Sequence, residues 1–428
     1  MRRARLRRGV TQAQAAARVE VSRPTLTQWE SGRYLPSPAR AQKLDDLLGA
    51  GGELYRLAER SRPAGAYSVP AISPAAGHIA PTNHFPAPVG DFRTVLQIFT
   101  QVGDALVRHL RRDAEGTPLG WAHNLQQDDR SVTSMSTAYG IKILLMLGGP
   151  HVDLATVARG LGRFRIPGPA GMDGWASASQ SAARPEATAV VVDALSRVGV
   201  LSPGAALTML EGLIDDATRH QTFVLTTVLE TVLRIAPDSD LAHDLLGYLL
   251  AARRPFDGQL VWPEKVGDAQ AKLTASTAHT ARAVVVLQSA VRSIDRAELR
   301  DALYAGQEWL AGTWDDEGVS EVISREIEDD RPGGAREELS IRHFTAAWVV
   351  RALAGVERPD TSRLGAALAR VWTWFDPGSG LWGWGNGDLP VWMTHDSVAA
   401  VRAAALALTP SAVPSPRSAP SLPEDNPD

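Results

Sequence analysis

The chain contains no cysteine. Disulfides and thiolate metal sites are therefore excluded, and a reducing compartment suits it. Lysine is scarce as well: of 44 Lys and Arg residues only Lys43, Lys142, Lys265 and Lys272 are lysine. Together with the abundant alanine, that bias hints at a GC-rich bacterial genome. No uninterrupted apolar run is long enough to span a membrane, so no membrane association is expected. The opening MRRARLRR is basic, but no apolar core follows it, which predicts no secretory signal. These absences together point to a cytoplasmic protein.

What is present divides unevenly. At 428 residues the chain has room for two or more domains. The net charge of −4 hides an asymmetry: residues 1–62 hold thirteen Lys/Arg and six Asp/Glu (+7), the rest thirty-one and forty-two (−11). A basic module joined to an acidic body is the electrostatic footprint expected of a DNA reader. The two parts should do different work.

Residues 11–32, TQAQAAARVEVSRPTLTQWESG, read as two short helices with a tight turn between them. Thr11 with Gln14 three residues later forms a capping box. Ala15, Ala16 and Val19 supply the inward face of the first helix. Ser22 caps the second, Pro24 sits in its first turn, and Leu26 with Trp29 is its buried stripe. Arg23, Thr27 and Gln28 are then left on the outer face, where two crossed helices suit the DNA major groove.

This stretch resembles the Cro-type (XRE) helix-turn-helix family at Thr11-Gln12, Val21-Ser22, Trp29-Glu30, Gly32 and Pro36. The resemblance covers roughly residues 1–60 and implies binding of double-stranded DNA. It implies that Arg23 and Gln28 touch base edges, with Thr27 beside them, and that Gln12, Ser22 and Arg33 hold phosphates. It also pairs Glu30 with Arg5. Glu20 stands where the family usually has glycine and would need a positive φ.

After a fourth and a fifth helix, residues 63–91 carry six prolines without periodicity and read as a linker. From residue 92 an amphipathic helix opens a repetitive region. A polar start followed by an apolar helix recurs at 134–147, 187–198, 222–235, 276–287, 345–353 and 397–408. Second helices fall between them at 152–161, 203–217, 239–253 and 297–311. Tryptophan-bearing loops precede many of the polar starts: Gly120-Trp121, Gly174-Trp175, Val261-Trp262 and Leu381-Trp382-Gly383-Trp384. Six helix pairs that cannot bury their own apolar faces suggest a closed double ring. The region 92–408 resembles the α/α toroid of the terpenoid-cyclase and prenyltransferase superfamily, with an open helical solenoid as the alternative. Residues 409–428 read as a disordered tail. The expected class is all-α: a five-helix helix-turn-helix domain (1–62) linked to an α/α toroid-like body.

The cyclase chemistry itself is missing. The acidic pairs Asp128-Asp129, Asp215-Asp216, Asp315-Asp316 and Asp329-Asp330 all lack the first aspartate of an Asp-x-Asp-Asp acid. Without cysteine, the zinc sites of prenyltransferases and lanthionine cyclases cannot be built either. No catalytic residue, metal site or cofactor is assigned, and whether the body is an enzyme stays open. His220, His343 and His395 each lie two residues ahead of a Thr or Ser at a helix start, and His279 lies inside another. Converging on one mouth, they could bind a metal or an anion. The loop tryptophans should mostly pack between repeats, with some lining a pocket for a small apolar ligand. Trp262, His343, Trp384 and His395 are the ligand-binding candidates. Residues 321–338 read as a charged surface excursion.

The expectation is a homodimeric transcription regulator whose body senses a ligand or binds a protein partner. An enzyme of unknown chemistry carrying a DNA-binding head, or a scaffold in a bacterial defence or stress complex, is the alternative.

Overall fold

The computed structural model describes residues 1–19, 26, 29–30, 38–52, 54, 56, 92–126, 131–148, 152–168, 172–176, 183–214, 219–256, 258–264, 275–313, 321–327, 337–356, 359–384 and 387–408. The chain divides into two compact units, Met1–Thr82 and Asn83–Asp428. Each has its own core.

In the first unit, α1 (Arg2–Arg7), α2 (Gln12–Arg18) and α3 (Pro38–Leu48) are described. Leu26, Trp29, Glu30, Leu54 and Arg56 are helical as well. Both bonds of the expected capping box are present: Gln14 N–H donates to the Thr11 hydroxyl, and Thr11 N–H donates to the Gln14 side-chain oxygen. Ala4, Ala15, Ala16, Val19, Leu26, Trp29, Leu44, Leu48 and Leu54 form the core. The chain leaves α3 at Gly49, with φ of 59°, a left-handed turn that glycine enters without strain. There Arg8 Nε donates to the Leu48 carbonyl, 3.1 Å away. Arg5 forks onto Glu30, with Nε 2.6 Å from Oε1 and Nη2 3.0 Å from Oε2.

The second unit contains six inner helices: α5 (Ser134–Met146), α7 (Pro185–Arg197), α9 (Thr222–Ile235), α11 (Thr277–Ser293), α13 (Thr345–Ala354) and α15 (Val391–Leu408). Each packs on the next, and α15 returns to pack on α5, so the ring is closed. Outside it lie α4 (Phe92–His109), α6 (Leu154–Gly160), α8 (Pro203–Glu211), α10 (Asp240–Ala251), α12 (Ala297–Thr313) and α14 (Thr361–Trp372). The open-solenoid alternative therefore falls. Because inner and outer helices alternate along the chain, the inner six run parallel and their N-termini share one end. The helix starts are written in the sequence: Thr133, Asp153, Ser202, Ser239, Ser276 and Asp360 accept backbone N–H bonds as N-caps. Pro185 and Pro203 occupy first-turn positions that have no N–H to lose.

Short antiparallel hairpins join several outer helices to the next inner one. They are β1 (Arg111–Arg112) with β2 (Pro118–Gly120), β3 (Ile166–Pro167) with β4 (Asp173–Gly174), β5 (Arg254–Phe256) with β6 (Gln259–Val261), and β9 (Phe375–Asp376) with β10 (Leu381–Trp382). The longest hairpin pairs β7 (Glu321–Ile327) with β8 (Glu337–His343) over seven residues each. Its strands take up the two ends of the charged stretch 321–338 and run on to His343. Its dense charge masks an alternation, as in Leu339, Ile341 and His343. Several helix bounds also move: α8 ends at Glu211 rather than residue 217, α11 runs on to Ser293, and α15 starts at Val391 rather than residue 397.

Candidate functional site

Four of the tryptophans brace the ring in the same way. The backbone N–H of Trp121, Trp175, Trp262 and Trp382 donates to the hydroxyl of Thr137, Thr188, Thr280 and Thr394 on the following inner helix. Their indole N–H groups donate to the carbonyls of Leu106, Leu161, Leu249 and Val371, at or just beyond the ends of the preceding outer helices. A carbonyl left bare by the helix end and a buried N–H are thus satisfied by one residue. Gly120 and Gly174 precede two of these tryptophans because a Cβ there would meet the Thr137 and Thr188 hydroxyls. Trp262 is therefore part of the framework, wholly buried against Gly306 and Val284.

The interior of the ring is another matter. On α5, buried elsewhere apart from Leu145 near its end, Met135, Tyr139, Lys142 and Met146 remain partly accessible. Their spacing of i, i+4, i+7, i+11 marks one stripe. With α7 and α15 at its sides and α4 and α6 outside, that stripe faces the ring axis. On α9 the partly accessible residues Phe223, Glu230 and Arg234 repeat the pattern. Glu230 keeps 34% of its side-chain surface accessible deep inside the ring. The axis thus holds a water-accessible space.

Its middle is charged. Asp193 receives Lys142 at 2.8 Å, Arg197 at 3.0 Å, and Arg234. Burial pushes the Asp193 carboxyl up, but these three cations outweigh it and hold it well below the usual carboxylate range. Across the axis Arg351 reaches Glu230 at 2.7 Å. Burial again opposes ionisation, yet Arg351 and Lys142 bring Glu230 down to about 2. A proton-donating carboxyl needs the opposite shift. These two carboxylates suit charge pairing.

Nearer the N-terminal end the lining is aromatic and cationic. Arg282 lies with its guanidinium 4.0 Å from the ring centre of Trp348 and 4.8 Å from that of Phe223. It donates to the hydroxyls of Thr226 at 3.3 Å and Thr227 at 2.7 Å. His279 and His343 meet edge to face, ring centres 5.3 Å apart, and His343 also lies 5.1 Å from Phe223. Burial lowers both histidines, His279 to about 3, with Arg282 acting in the same direction. Both are neutral. His395 contacts Tyr139 and bonds through Nδ1 to Asp396 at 2.9 Å, while Trp348 Nε1 donates to the other Asp396 oxygen at 3.0 Å. Trp384 packs among Phe344, Trp374 and Trp392 with Arg342 stacked on it at 3.5 Å.

The histidines therefore do not meet as a set. His343 joins His279, His395 sits inside the second turn of α15, and His220 is exposed. Among the described residues no group of three or more His, Asp or Glu is placed to hold a metal. Sequence reading missed Lys142, Asp193, Glu230, Arg282 and Arg351. Each is a charge set among mainly apolar residues within an inner helix, as in GIKILLM or TTVLETVL, and that signal could have found them. Of the expected DNA contacts, Gln12 donates from its amide to Glu30 at 2.8 Å. Ser22, Arg23, Thr27, Gln28 and Arg33 lie outside the described residues.

Residues 1–58 match a helix-turn-helix domain. A comparison with curated proteins finds no match. Solved structures similar to the body include a glycoside hydrolase family 76 mannosidase from Bacteroides thetaiotaomicron VPI-5482, with TM-score 0.48 and 9% identity. That match covers 73% of this chain and 98% of the other. A family 76 glycoside hydrolase from a bovine strain of the same species gives TM-score 0.49 and 8% identity over 73% and 77% of the two chains. An inactive variant of an α-1,6-mannanase from Salegentibacter sp. HEL1_6, in complex with α-1,6-mannotriose, gives 0.46 and 9% over 73% and 99%. At this level the likeness carries no argument about chemistry. These three are not terpenoid cyclases. Among the described residues no helix is long and apolar enough to cross a membrane.

Proposed function

We propose that the protein is a cytoplasmic, sequence-specific DNA-binding transcription regulator whose helical ring senses a small ligand. The match of residues 1–58 to a helix-turn-helix domain carries this reading. The +7 balance of residues 1–62 supports it, since phosphate contacts dominate affinity for DNA. Arg23, Thr27 and Gln28 are the proposed base readers, with Gln12, Ser22 and Arg33 on phosphates. A single helix-turn-helix touches few bases, so two copies of the chain on two half-sites supply useful specificity. Ligand binding in the ring shifts the balance between arrangements of the dimer that fit and do not fit the operator. The lining of His343, His395, Phe223 and Trp348 supports a ligand-binding role for the ring.

The test is binding of the intact protein to its own upstream DNA, titrated in salt, beside Arg23→Ala and Gln28→Ala. Tight binding that weakens with salt and loses sequence preference in both variants is expected. Weak binding indifferent to both substitutions would sink the reading.

A further inference from the structure

Among the described residues of the ring, Asp193 and Glu230 have cationic partners, whereas Asp396 and Arg282 are held by uncharged groups. Asp193 has Lys142 and Arg234, Glu230 has Arg351, and Asp396 has Trp348 and His395. Arg282 is 6% exposed and, among the described residues, has no carboxylate within ion-pair distance. Asp396 and Glu230 act on it only at longer range and are engaged elsewhere. Among the described residues its hydrogen bonds go to the neutral hydroxyls of Thr226 and Thr227. A buried charge left this way is costly unless something completes it.

What surrounds Arg282 is also incomplete. His279 and His343 are 0% and 3% exposed, and Nε2 of each lacks a hydrogen-bond partner. His279 lies three residues before Arg282 on α11, on the same helix face, and its Nδ1 is taken by the Ser276 hydroxyl at 2.6 Å. The Thr345 hydroxyl, two residues beyond His343, is a third buried group without a partner. One guanidinium and three neutral groups able to donate thus gather at the N-terminal end of the ring. A metal cation is disfavoured beside Arg282, whereas an oxyanion would satisfy the guanidinium and histidine N–H groups at once.

We infer that this end of the ring binds the carboxylate of a small organic acid, with Arg282 as its ion-pair partner and His279 and His343 as neutral donors. A single guanidinium with no carboxylate in direct contact matches a monoanion better than a doubly charged phosphate. Phe223 and Trp348 beside it offer flat apolar surface for the rest of the molecule. The guanidinium is already fixed between two rings and two hydroxyls, so little ordering is needed on binding. The inference rests on the ligand-sensing reading of the ring and names its ligand class.

The experiment is calorimetric titration of the intact protein with benzoate, and separately with inorganic phosphate, for the parent chain, Arg282→Gln and His343→Phe. Saturable benzoate binding is expected, weakened about tenfold or more in Arg282→Gln and several-fold in His343→Phe, with phosphate much weaker. His343→Phe keeps an aromatic ring while removing the nitrogens, so it serves if Arg282→Gln does not fold. Absent benzoate binding, binding unchanged in the folded variants, or tighter binding of phosphate would each overturn the inference. Operator binding is measured on the same preparations without benzoate. Loss of operator binding beside an Arg282-dependent isotherm would remove the regulator reading alone.

Discussion

Trp262 is held at both ends of one residue: its backbone N–H meets the Thr280 hydroxyl at 3.2 Å, and its indole N–H meets the Leu249 carbonyl at 2.8 Å. The same brace at Trp121, Trp175 and Trp382 ties outer helices to inner ones around the ring. Thr280→Val keeps the shape and removes the acceptor, leaving a buried N–H unpaired. A loss of about 1–3 kcal/mol is expected in denaturant unfolding. Thr280→Ser should recover most of it. A valine variant as stable as the parent would show that the bond contributes nothing net.

Asp193 joins α5, α7 and α9 through Lys142, Arg197 and Arg234. Asp193→Asn keeps the volume and deletes the charge, so Lys142 and Arg234 lose their shared partner. Removing one member of a buried pair costs about 3–5 kcal/mol. Arg197 is largely exposed and adds little to that figure. The expected result is a lower unfolding midpoint for the body, with Lys142→Met in the Asn background recovering part of the loss.

The outline of the ring was legible in the sequence because its repeat has a physical cause. Thr137, Thr188, Thr280 and Thr394 partner the tryptophans, so polar starts and Trp loops recur together. The start of α15 was misplaced because Trp392, Thr394, His395 and Asp396 look like a loop until Trp382 and Trp348 supply their partners. His279 and His343 are 64 positions apart in the chain and meet only when the ring closes, which local pattern does not encode. The arginines were hidden for the same reason. Their partners come from other helices.

Acid should loosen the ring. His279 is about 3 when folded against 6.5 in a free chain, and burial also lowers His343 and His395. Below about pH 6.5 the unfolded chain therefore binds protons that the folded one does not, so stability falls with pH toward 3. Each such histidine adds a slope of up to about 1.4 kcal/mol per pH unit. Glu230 acts later: its ionised form stabilises above 4.5, and that contribution is lost as pH falls toward about 2. Denaturant unfolding at pH 7.5, 6 and 5 should show a steady decline, shallower in His279→Gln. A stability independent of pH over that range would contradict buried neutral histidines.

Arg5 and Glu30 set the last expectation, in the helix-turn-helix unit. Their side chains are 8% and 3% exposed, and Gln12 joins them through Glu30. The pair ties α1 to the helical residues around Trp29, in a unit whose core is small. Burial opposes the Glu30 charge, but Arg5 and Gln12 bring its carboxyl below the usual range. Glu30→Ala would leave Arg5 buried without its carboxylate and Gln12 without its acceptor. The cost of about 3 kcal/mol or more is a large share of what so small a unit has. Circular dichroism of the intact chain should show an early melting step that the parent lacks, while the body's transition stays in place. Glu30→Gln should be milder, since its amide oxygen can still accept from Arg5. If Glu30→Ala melts like the parent, the pair is only a contact of convenience, and Gln12 is free to turn toward phosphate.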